Sequence, residues 1–334
     1  MDLLNEIVKE IGSDYAKIAS DKENKEQYID TGSFVFNGLV SGSILGGVSS
    51  NRITAIAGET STGKTFFSLA VVKNFLDNNP NGYVLYFDTE SAVNRELLES
   101  RDIDTKRVGH IEVVTVEEFR NKALKALDIY LDKPTEERAP CLFVLDSLGM
   151  LSTEKEIKDA LEDKNVRDMT KSQLVKGAFR MLTLKLGQAN VPLIVTNHTY
   201  DVIGAYVPTK EMGGGSGLKY AASTIIYLSK AKEKDGTEVI GNVITAKTVK
   251  SRLSKENKAV KIRLFFDDRG LDKYYGLLDL AEKYDIVKKV GNRYEIKGKK
   301  VYAKEVYSHP EKYFDDQIMQ ALDEAAKKEF SYGE

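Results

Sequence analysis

The chain has 334 residues, 42% of them hydrophobic and 30% charged, with a net charge of −2 that does not by itself indicate nucleic-acid binding. This length suits one large domain and a small one, and no apolar run approaches the ~18 residues that cross a membrane. One cysteine, Cys141, excludes an internal disulfide and disfavours a zinc site, and the amino terminus lacks a signal peptide, so we expect a cytoplasmic protein.

Residues 1–26 are predicted to form an acidic amphipathic helix. Its apolar residues recur at three- and four-residue spacing and are Leu4, Ile7, Ile11, Tyr15 and Ile18. A helix outside the core needs a surface that buries its apolar stripe. The sequence leaves open whether that surface belongs to the same domain or to a neighbouring subunit.

A glycine-rich loop follows a short apolar run at residues 53–57. The loop fits the phosphate-binding pattern G-x-x-x-x-G-K-T and comprises Gly58, Glu59, Thr60, Ser61, Thr62, Gly63, Lys64 and Thr65, with Phe66 next in the chain. The apolar residues 66–76 predict a buried helix, and strand, loop and helix are the context this motif requires. We expect loop amides to surround phosphates, Lys64 to reach the β- and γ-phosphates, and Thr65 to ligate Mg²⁺.

From about residue 30 to residue 268, apolar strands alternate with helical stretches. The further predicted strands are residues 83–87, 111–114, 142–145, 193–196, 224–228, 243–249 and 260–266. Helices are predicted at residues 116–131 and 170–188. The alternation is typical of an α/β fold with a mostly parallel, helix-covered sheet. No helix separates the last two strands, so we expect an antiparallel edge there.

Three of these strands are followed by polar residues of catalytic type. Asp146 completes a Walker B pattern and would hold Mg²⁺ through water, with Ser147 in support. Glu90 is a candidate general base, because ligands gather at the carboxyl ends of strands in open α/β sheets. The alternative for Glu90 is a solvated or helix-capping acid. His198 is a candidate γ-phosphate sensor or a structural histidine.

Two polar segments are candidates for nucleic-acid binding. Residues 199–218 have little apolar periodicity and contain Tyr206, Lys210, Gly213, Gly214 and Gly215. An aromatic residue beside basic residues and glycines suits stacking and phosphate contact on a single strand, although a plain flexible loop has a similar composition.

The second segment, residues 159–169, precedes a predicted helix that carries Lys176 and Arg180. These two cations lie four residues apart and share one helix face. Such a pair on its own usually marks a solvated face.

Clustered cations mark two further places. Lys250 and Arg252 point the same way on a predicted strand, either as fingers on a neighbour's nucleotide or as part of an exposed face. Between residues 283 and 304, eight Lys and Arg residues stand against two acids, with tyrosines interleaved. This patch suits the backbone of duplex DNA or is a solubilising surface.

These motifs, in this order, resemble the RecA family of recombinases, and within it the phage UvsX branch. The resemblance covers nearly the whole chain and is most specific at residues 39–47, 144–149, 196–200, 212–217 and 275–279. It implies a RecA-type P-loop NTPase core at residues 31–268. It also implies an N-terminal helical arm at residues 1–30 that packs on the adjacent protomer, and a small α+β C-terminal domain at residues 269–334.

The resemblance also implies roles for single residues. Glu90 matches the family's catalytic glutamate, and His198 stands at the position of its γ-phosphate sensor. Lys250 and Arg252 match cations that reach the neighbouring subunit's ATP. Asn94 stands where bacterial RecA has an aspartate near the nucleoside, so the chain departs from the family pattern at that contact. The two polar segments match the two DNA-binding loops.

The implied function is that of a DNA-dependent ATPase with ATP and Mg²⁺ as cofactors. The protein would polymerise on single-stranded DNA as a helical filament, contact duplex DNA, and catalyse strand exchange in recombination, repair and recombination-dependent replication. Its implied partners are single-strand-binding and mediator proteins, in the host cytoplasm if a phage encodes it. The alternatives are a hexameric helicase on the same core and an ATP-binding paralogue that does not exchange strands.

Overall fold

The computed structural model describes residues 2–11, 27–163, 170–202, 204, 210–267 and 269–333. The helices are α1 (Asp2–Glu10), α2 (Phe34–Ser41), α3 (Lys64–Asn78), α4 (Arg95–Glu99), α5 (Val116–Leu131), α6 (Glu154–Leu161), α7 (Lys171–Ala189), α8 (Ser216–Ala221), α9 (Leu277–Lys283), α10 (Ala303–Ser308), α11 (Pro310–Tyr313) and α12 (Asp316–Phe330). The strands are β1 (Tyr28–Ile29), β2 (Val48–Ser49), β3 (Ile53–Gly58), β4 (Tyr83–Asp88), β5 (Val108–Glu112), β6 (Cys141–Asp146), β7 (Leu193–Asp201), β8 (Lys210–Met212), β9 (Thr224–Asp235), β10 (Glu238–Ser251), β11 (Ala259–Phe265), β12 (Lys288–Val290), β13 (Arg293–Ile296) and β14 (Lys299–Val301).

One large sheet organises the molecule, with strand order β11-β10-β9-β3-β7-β6-β4-β5. The strands from β9 to β5 pair in parallel. Successive residues of a strand point to opposite faces, so Tyr86 and Val144 join one apolar cluster while Phe87 and Leu145 join the other. Both faces are covered, which confirms the predicted α/β class.

The antiparallel part of the sheet is larger than the sequence predicts. β10 pairs antiparallel with both β9 and β11, so three strands take part. The β9–β10 hairpin also extends beyond the predicted residues 224–228 and 243–249. Residues 229–232 of β9 are exposed and carry no apolar alternation, which is why the pattern missed them.

The C-terminal residues form their own three-stranded sheet, β12-β13-β14, and dock on the rest of the chain through α12. A Cβ added at Gly38 of α2 would lie 3.3 Å from the ring of Phe330, so the two helices are in close contact. Asp323 of α12 accepts hydrogen bonds from Ser43 Oγ (2.5 Å) and the Ile44 amide (3.0 Å). The bounds of arm, core and C-terminal domain stay predictions.

The predicted apolar stripe of the N-terminal helix lies on α1. Leu3, Leu4 and Ile7 are exposed on this helix, and Ile11 is exposed directly after its last residue. The remaining stripe positions, Tyr15 and Ile18, lie outside the described residues. Within the part of the chain that is described, no helix combines the length and the apolar character needed to cross a bilayer.

Candidate active site and nucleic-acid interface

The phosphate-binding loop connects the end of β3 to the start of α3. Its turn uses left-handed backbone at Ser61 (φ 61°) and Gly63 (φ 88°). A Cβ added at Gly58 would lie 2.5 Å from Thr62 Oγ1 and 2.9 Å from the Leu228 carbonyl, so only glycine fits that position without a shift. The loop therefore takes the compact form that brings backbone amides to a helix N-terminus.

Lys64 is the first residue of α3, directly after the loop turn, and is only 8% exposed. Its ammonium group donates to the carbonyl oxygens of Gly58 (3.1 Å) and Glu59 (2.9 Å). Burial lowers the pKa of Lys64, and the nearby charges of Glu90 and Asp146 oppose that shift. The three predicted charged residues therefore share one site.

Asp146 is buried at the end of β6, and both of its carboxylate oxygens accept hydrogen bonds. The Tyr86 hydroxyl donates to Oδ2 over 2.7 Å, and the Thr196 hydroxyl donates to Oδ1. Burial and the negative charge of Asp146 raise the pKa of Tyr86, so its phenol stays protonated and can donate. Two neighbouring strands thus fix the orientation of this carboxylate.

Glu90 follows β4 and lies beside both Ser147 and His198. Ser147 Oγ donates to Glu90 Oε1 over 2.7 Å, and His198 Nε2 lies 3.3 Å from the same oxygen. The Thr89 hydroxyl donates to the Ser147 carbonyl (2.9 Å) and accepts from the Ser147 amide (2.8 Å). Hydrogen bonds thus connect residues of β4, β6 and β7, or directly after them, around Glu90, the predicted base.

The donor set at this site fits Mg²⁺, which prefers hydroxyl, carboxylate and water oxygens. Thr65 stands in the first turn of α3, and its hydroxyl has no hydrogen-bond partner within the described residues. The buried carboxylate of Asp146 is the second oxygen source. Thr65 and Asp146 are therefore the residues that would hold the metal.

Two further residues were predicted for the nucleotide site: Phe66, which follows the loop in the chain, and Asn94, which stands at the family's nucleoside position. The Arg101 guanidinium stacks 4.1 Å from the centre of the Phe66 ring, and a Cβ added at Gly270 would lie 3.4 Å from that ring. Asn94 caps α4, where its Oδ1 accepts from the Leu97 amide over 2.8 Å. A nucleoside contact of Asn94 stays a prediction.

Lys250 and Arg252 lie at the C-terminal end of α8. Lys250 Nζ donates to the carbonyl oxygens of Lys219 and Ala222, each at 2.8 Å, and Arg252 donates to that of Tyr220 over 3.4 Å. Both cations thus face the unpaired carbonyls at a helix C-terminus, where positive charge is stabilised.

The register of the sheet separates these two cations from the chain's own phosphate loop. Ser251 pairs with Thr224, which pairs with Thr54, whereas the loop begins at Gly58. Four residues of parallel strand span about 13 Å. This separation favours a role at the nucleotide of another subunit, which stays a prediction.

The glycine run contacts the start of α7. A Cβ added at Gly217 would lie 2.7 Å from the backbone nitrogen of Lys176, and one at Gly215 (φ 76°) would lie 2.6 Å from Ser172 Oγ. Lys176 and Arg180 are exposed on that helix. The fold therefore brings one predicted pair of cations beside the other predicted DNA-binding segment.

Part of the segment at residues 199–218 is regular, contrary to the sequence pattern. β7 continues to Asp201, β8 pairs with it from Lys210 to Met212, and α8 begins at Ser216. Short polar elements without an apolar face leave no periodic signal. Tyr206 and residues 164–169 lie outside the described residues.

The RecA N-terminal domain family matches residues 2–272 of the chain. The chain belongs to the RecA family. It is 34% identical over 269 residues to the recombination and repair protein of Enterobacteria phage T4, which covers 80% of this chain and 67% of the relative. It is 26% identical to the RecA proteins of Bifidobacterium longum (88% and 71% covered) and Mycoplasma mycoides (89% and 84%). The predicted similarity to the phage branch is confirmed.

Sequence reasoning missed several residues around this RecA-family site. Tyr86 and Thr196 hold Asp146, and Lys230 donates to the Ser61 carbonyl of the phosphate loop over 3.0 Å. Tyr86 and Thr196 stand on apolar strands two positions before a polar strand end, so they face the same side as that polar residue. The sequence spacing alone could therefore have predicted that Tyr86 and Thr196 face the site.

Proposed function

We propose that this RecA-family chain is an ATP-dependent recombinase that polymerises on single-stranded DNA and catalyses homologous pairing and strand exchange. The observation that carries the proposal is the position of His198. Its ring lies 3.3 Å from Glu90 at the nucleotide site, and its carbonyl accepts from the Gly213 amide of the glycine run (3.0 Å). One residue therefore joins the ATPase site to the proposed DNA-binding loop.

The charged side chains around the phosphate loop support a mechanism for ATP hydrolysis. The loop amides and Lys64 would bind the phosphates. Thr65 and Asp146 would hold Mg²⁺, which would supply positive charge against the developing phosphate charge. Glu90 orients the attacking water and accepts its proton as the water oxygen bonds to the γ-phosphorus. The bond to the β–γ bridging oxygen breaks, and ADP and phosphate leave.

Assembly completes the site in this proposal. The strand register separates Lys250 and Arg252 from their own loop, and they would reach the nucleotide of an adjacent subunit. The exposed stripe of α1 would pack on a neighbouring protomer and bury Leu4, Ile7 and Ile11. ATP at each interface would then order the filament, and hydrolysis would release it.

Two surfaces would contact DNA. Lys176 and Arg180 lie near the glycine run and would bind the phosphates of a single strand, with Tyr206 stacking on a base. Lys210 forms an ion pair with Glu59 of the phosphate loop and would have to leave that partner to join them.

The second surface is the basic patch at residues 283–304. Three of its lysines, Lys283, Lys289 and Lys297, already form ion pairs with acids.

Other lysines of that patch are better candidates for duplex DNA. Lys288, Lys299 and Lys300 are exposed on the small sheet. Single-strand-binding and mediator proteins would assist loading on DNA, in the cytoplasm of the cell in which that DNA lies.

Strand exchange between a circular single strand and a homologous linear duplex, with ATP and Mg²⁺, tests the proposal. We expect joint molecules from the parent protein, none from Lys64→Ala, and open helical filaments on DNA by electron microscopy. Closed rings that unwind a duplex would support a helicase. Filaments without joint molecules would support a paralogue that does not exchange strands.

A further inference from the structure

The turn that carries Glu90 is held by a buried carboxylate that the sequence analysis did not single out. Asp88, the last residue of β4, is 2% exposed. Its Oδ1 accepts from the Glu90 amide over 2.9 Å, and its Oδ2 accepts from the Val93 amide over 3.2 Å. Asp88 therefore fixes the backbone on both sides of the turn.

A histidine on the neighbouring edge strand completes this arrangement. His110 of β5 pairs with Tyr86 in the sheet register, and its Nε2 lies 3.0 Å from Asp88 Oδ2. Burial raises the pKa of Asp88, but hydrogen bonds from His110 and from the Glu90 and Val93 amides outweigh burial and lower it overall. Asp88 thus stays a charged acceptor in an otherwise buried position.

The two ends of Glu90 are held by different groups. Ser147 and His198 contact its carboxylate, whereas Asp88 contacts its backbone amide. A base must lie within hydrogen-bond reach of the water it activates, and a displacement of about 1 Å can cost up to about 100-fold in rate. Loss of the backbone contact would therefore move the base without removing it.

We propose that Asp88 and His110 are positioning residues for Glu90: His110 donates to Asp88 and orients it, and Asp88 holds the Glu90 turn. This inference rests on the proposed role of Glu90 as the base. His110 acts through Asp88 and does not touch the nucleotide. Its loss should slow the chemical step while nucleotide binding stays intact.

The test compares His110→Ala with His110→Gln, whose amide Nε2 can donate at a similar distance, and with His309→Ala as a control far from the site in sequence. Single-turnover ATP hydrolysis at saturating single-stranded DNA should fall about tenfold in His110→Ala. The KM for ATP and the assembly measured by light scattering should stay within about twofold of the parent. His110→Gln should recover most of the rate.

Several outcomes would overturn the inference. These are a parent-like rate in His110→Ala, a loss that appears only in KM or in assembly, or a His110→Gln variant as slow as His110→Ala. Asp88→Asn supplies a second check, because it keeps Oδ1 but loses an acceptor at Oδ2, and it should lower the rate with the same intact KM. Glu90→Gln separates the two claims. If Glu90→Gln keeps the parent rate, the proposed base is wrong; if it is inactive while His110→Ala is normal, only the positioning role fails.

Discussion

The backbone amide of Gly213 donates a 3.0 Å hydrogen bond to the carbonyl oxygen of His198. Asn197 Nδ2 donates to the Gly213 carbonyl over 2.9 Å, so the glycine is held on both sides. The His198 ring meanwhile lies 3.3 Å from Glu90 Oε1. We predict that a hydrogen bond between the His198 ring and a γ-phosphate would shift the end of β7. Gly213 would shift with it. Nucleotide proteins commonly switch an adjoining loop in this way.

His198→Ala is expected to uncouple nucleotide and DNA. ATP affinity should stay near that of the parent, because the phosphate loop is untouched, but the stronger DNA binding in the ATP state should disappear. The measurement is DNA affinity with a non-hydrolysable ATP analogue and with ADP at one fixed salt concentration. His309→Ala serves as the control. An unchanged ATP-to-ADP ratio in His198→Ala would make His198 structural.

Glu90→Gln should bind Mg²⁺ and ATP but hydrolyse ATP about 10²- to 10⁴-fold more slowly, because the amide cannot accept the proton. Filaments should then persist on DNA. Glu96→Gln, a change in the first turn of α4, is the matched control and should behave like the parent. The measurement is the steady-state rate of ATP hydrolysis at saturating DNA. A parent-like rate in Glu90→Gln would contradict the prediction.

A mixing experiment tests whether Lys250 and Arg252 act on a neighbour. The double variant Lys250→Ala, Arg252→Ala keeps its phosphate loop, and Lys64→Ala keeps the two cations. The double variant alone should hydrolyse poorly, because trans cations of this kind contribute about 10³–10⁵ in rate. Lys64→Ala alone should also hydrolyse poorly, because it lacks the lysine that reaches the phosphates. Mixed filaments should regain activity at interfaces that combine the two intact halves. A mixture no more active than its parts would remove the cations from catalysis.

Tyr86→Phe removes one of the two donors to Asp146 and leaves the ring in place. Outer-shell partners of metal ligands typically affect metal affinity by about 10–100-fold, so half-maximal ATP binding should require about tenfold more Mg²⁺. Tyr130→Phe removes a hydroxyl that bonds the Ala139 carbonyl and is the control. If the Mg²⁺ requirement of Tyr86→Phe matches the control, Thr196 alone suffices to orient Asp146.

Glu329 links the C-terminal residues to the core and should make stability sensitive to acid. Burial raises its pKa, but hydrogen bonds from Lys258, Lys283 and Tyr284 outweigh burial and lower the pKa to about 2 from an ordinary 4.5. The depressed pKa means that this stabilisation is present above pH ~4.5 and is lost as pH falls towards ~2. Denaturant unfolding of Glu329→Gln should show a loss on the order of 2–3 kcal/mol at neutral pH that shrinks across this window. A loss that is constant with pH would contradict the electrostatic account.

The sequence predicted the central strands of the sheet because buried parallel strands are continuous apolar runs, and it predicted helix α5 to the residue because Val116–Leu131 carries an apolar stripe. It misplaced the edge strand β5 at residues 111–114 instead of Val108–Glu112, because this strand is largely exposed and has no continuous apolar run. It failed on the distal β9–β10 hairpin and on β8. There the chain is exposed and polar, and backbone pairing alone decides the structure.

By itself, the sequence determined the phosphate loop and the α/β class, and it placed Glu90 and Asp146 at or just after the carboxyl ends of strands, since each depends on local pattern and spacing. The tertiary structure alone decided which groups orient those carboxylates. His110 reaches Asp88 from an adjacent strand, and Thr196 reaches Asp146 from another. The register of the sheet, not any local pattern, placed Lys250 at the end of the strands remote from its own loop. Contacts between strands distant in the chain depend on sheet order and register, and those are fixed only when the two apolar layers pack.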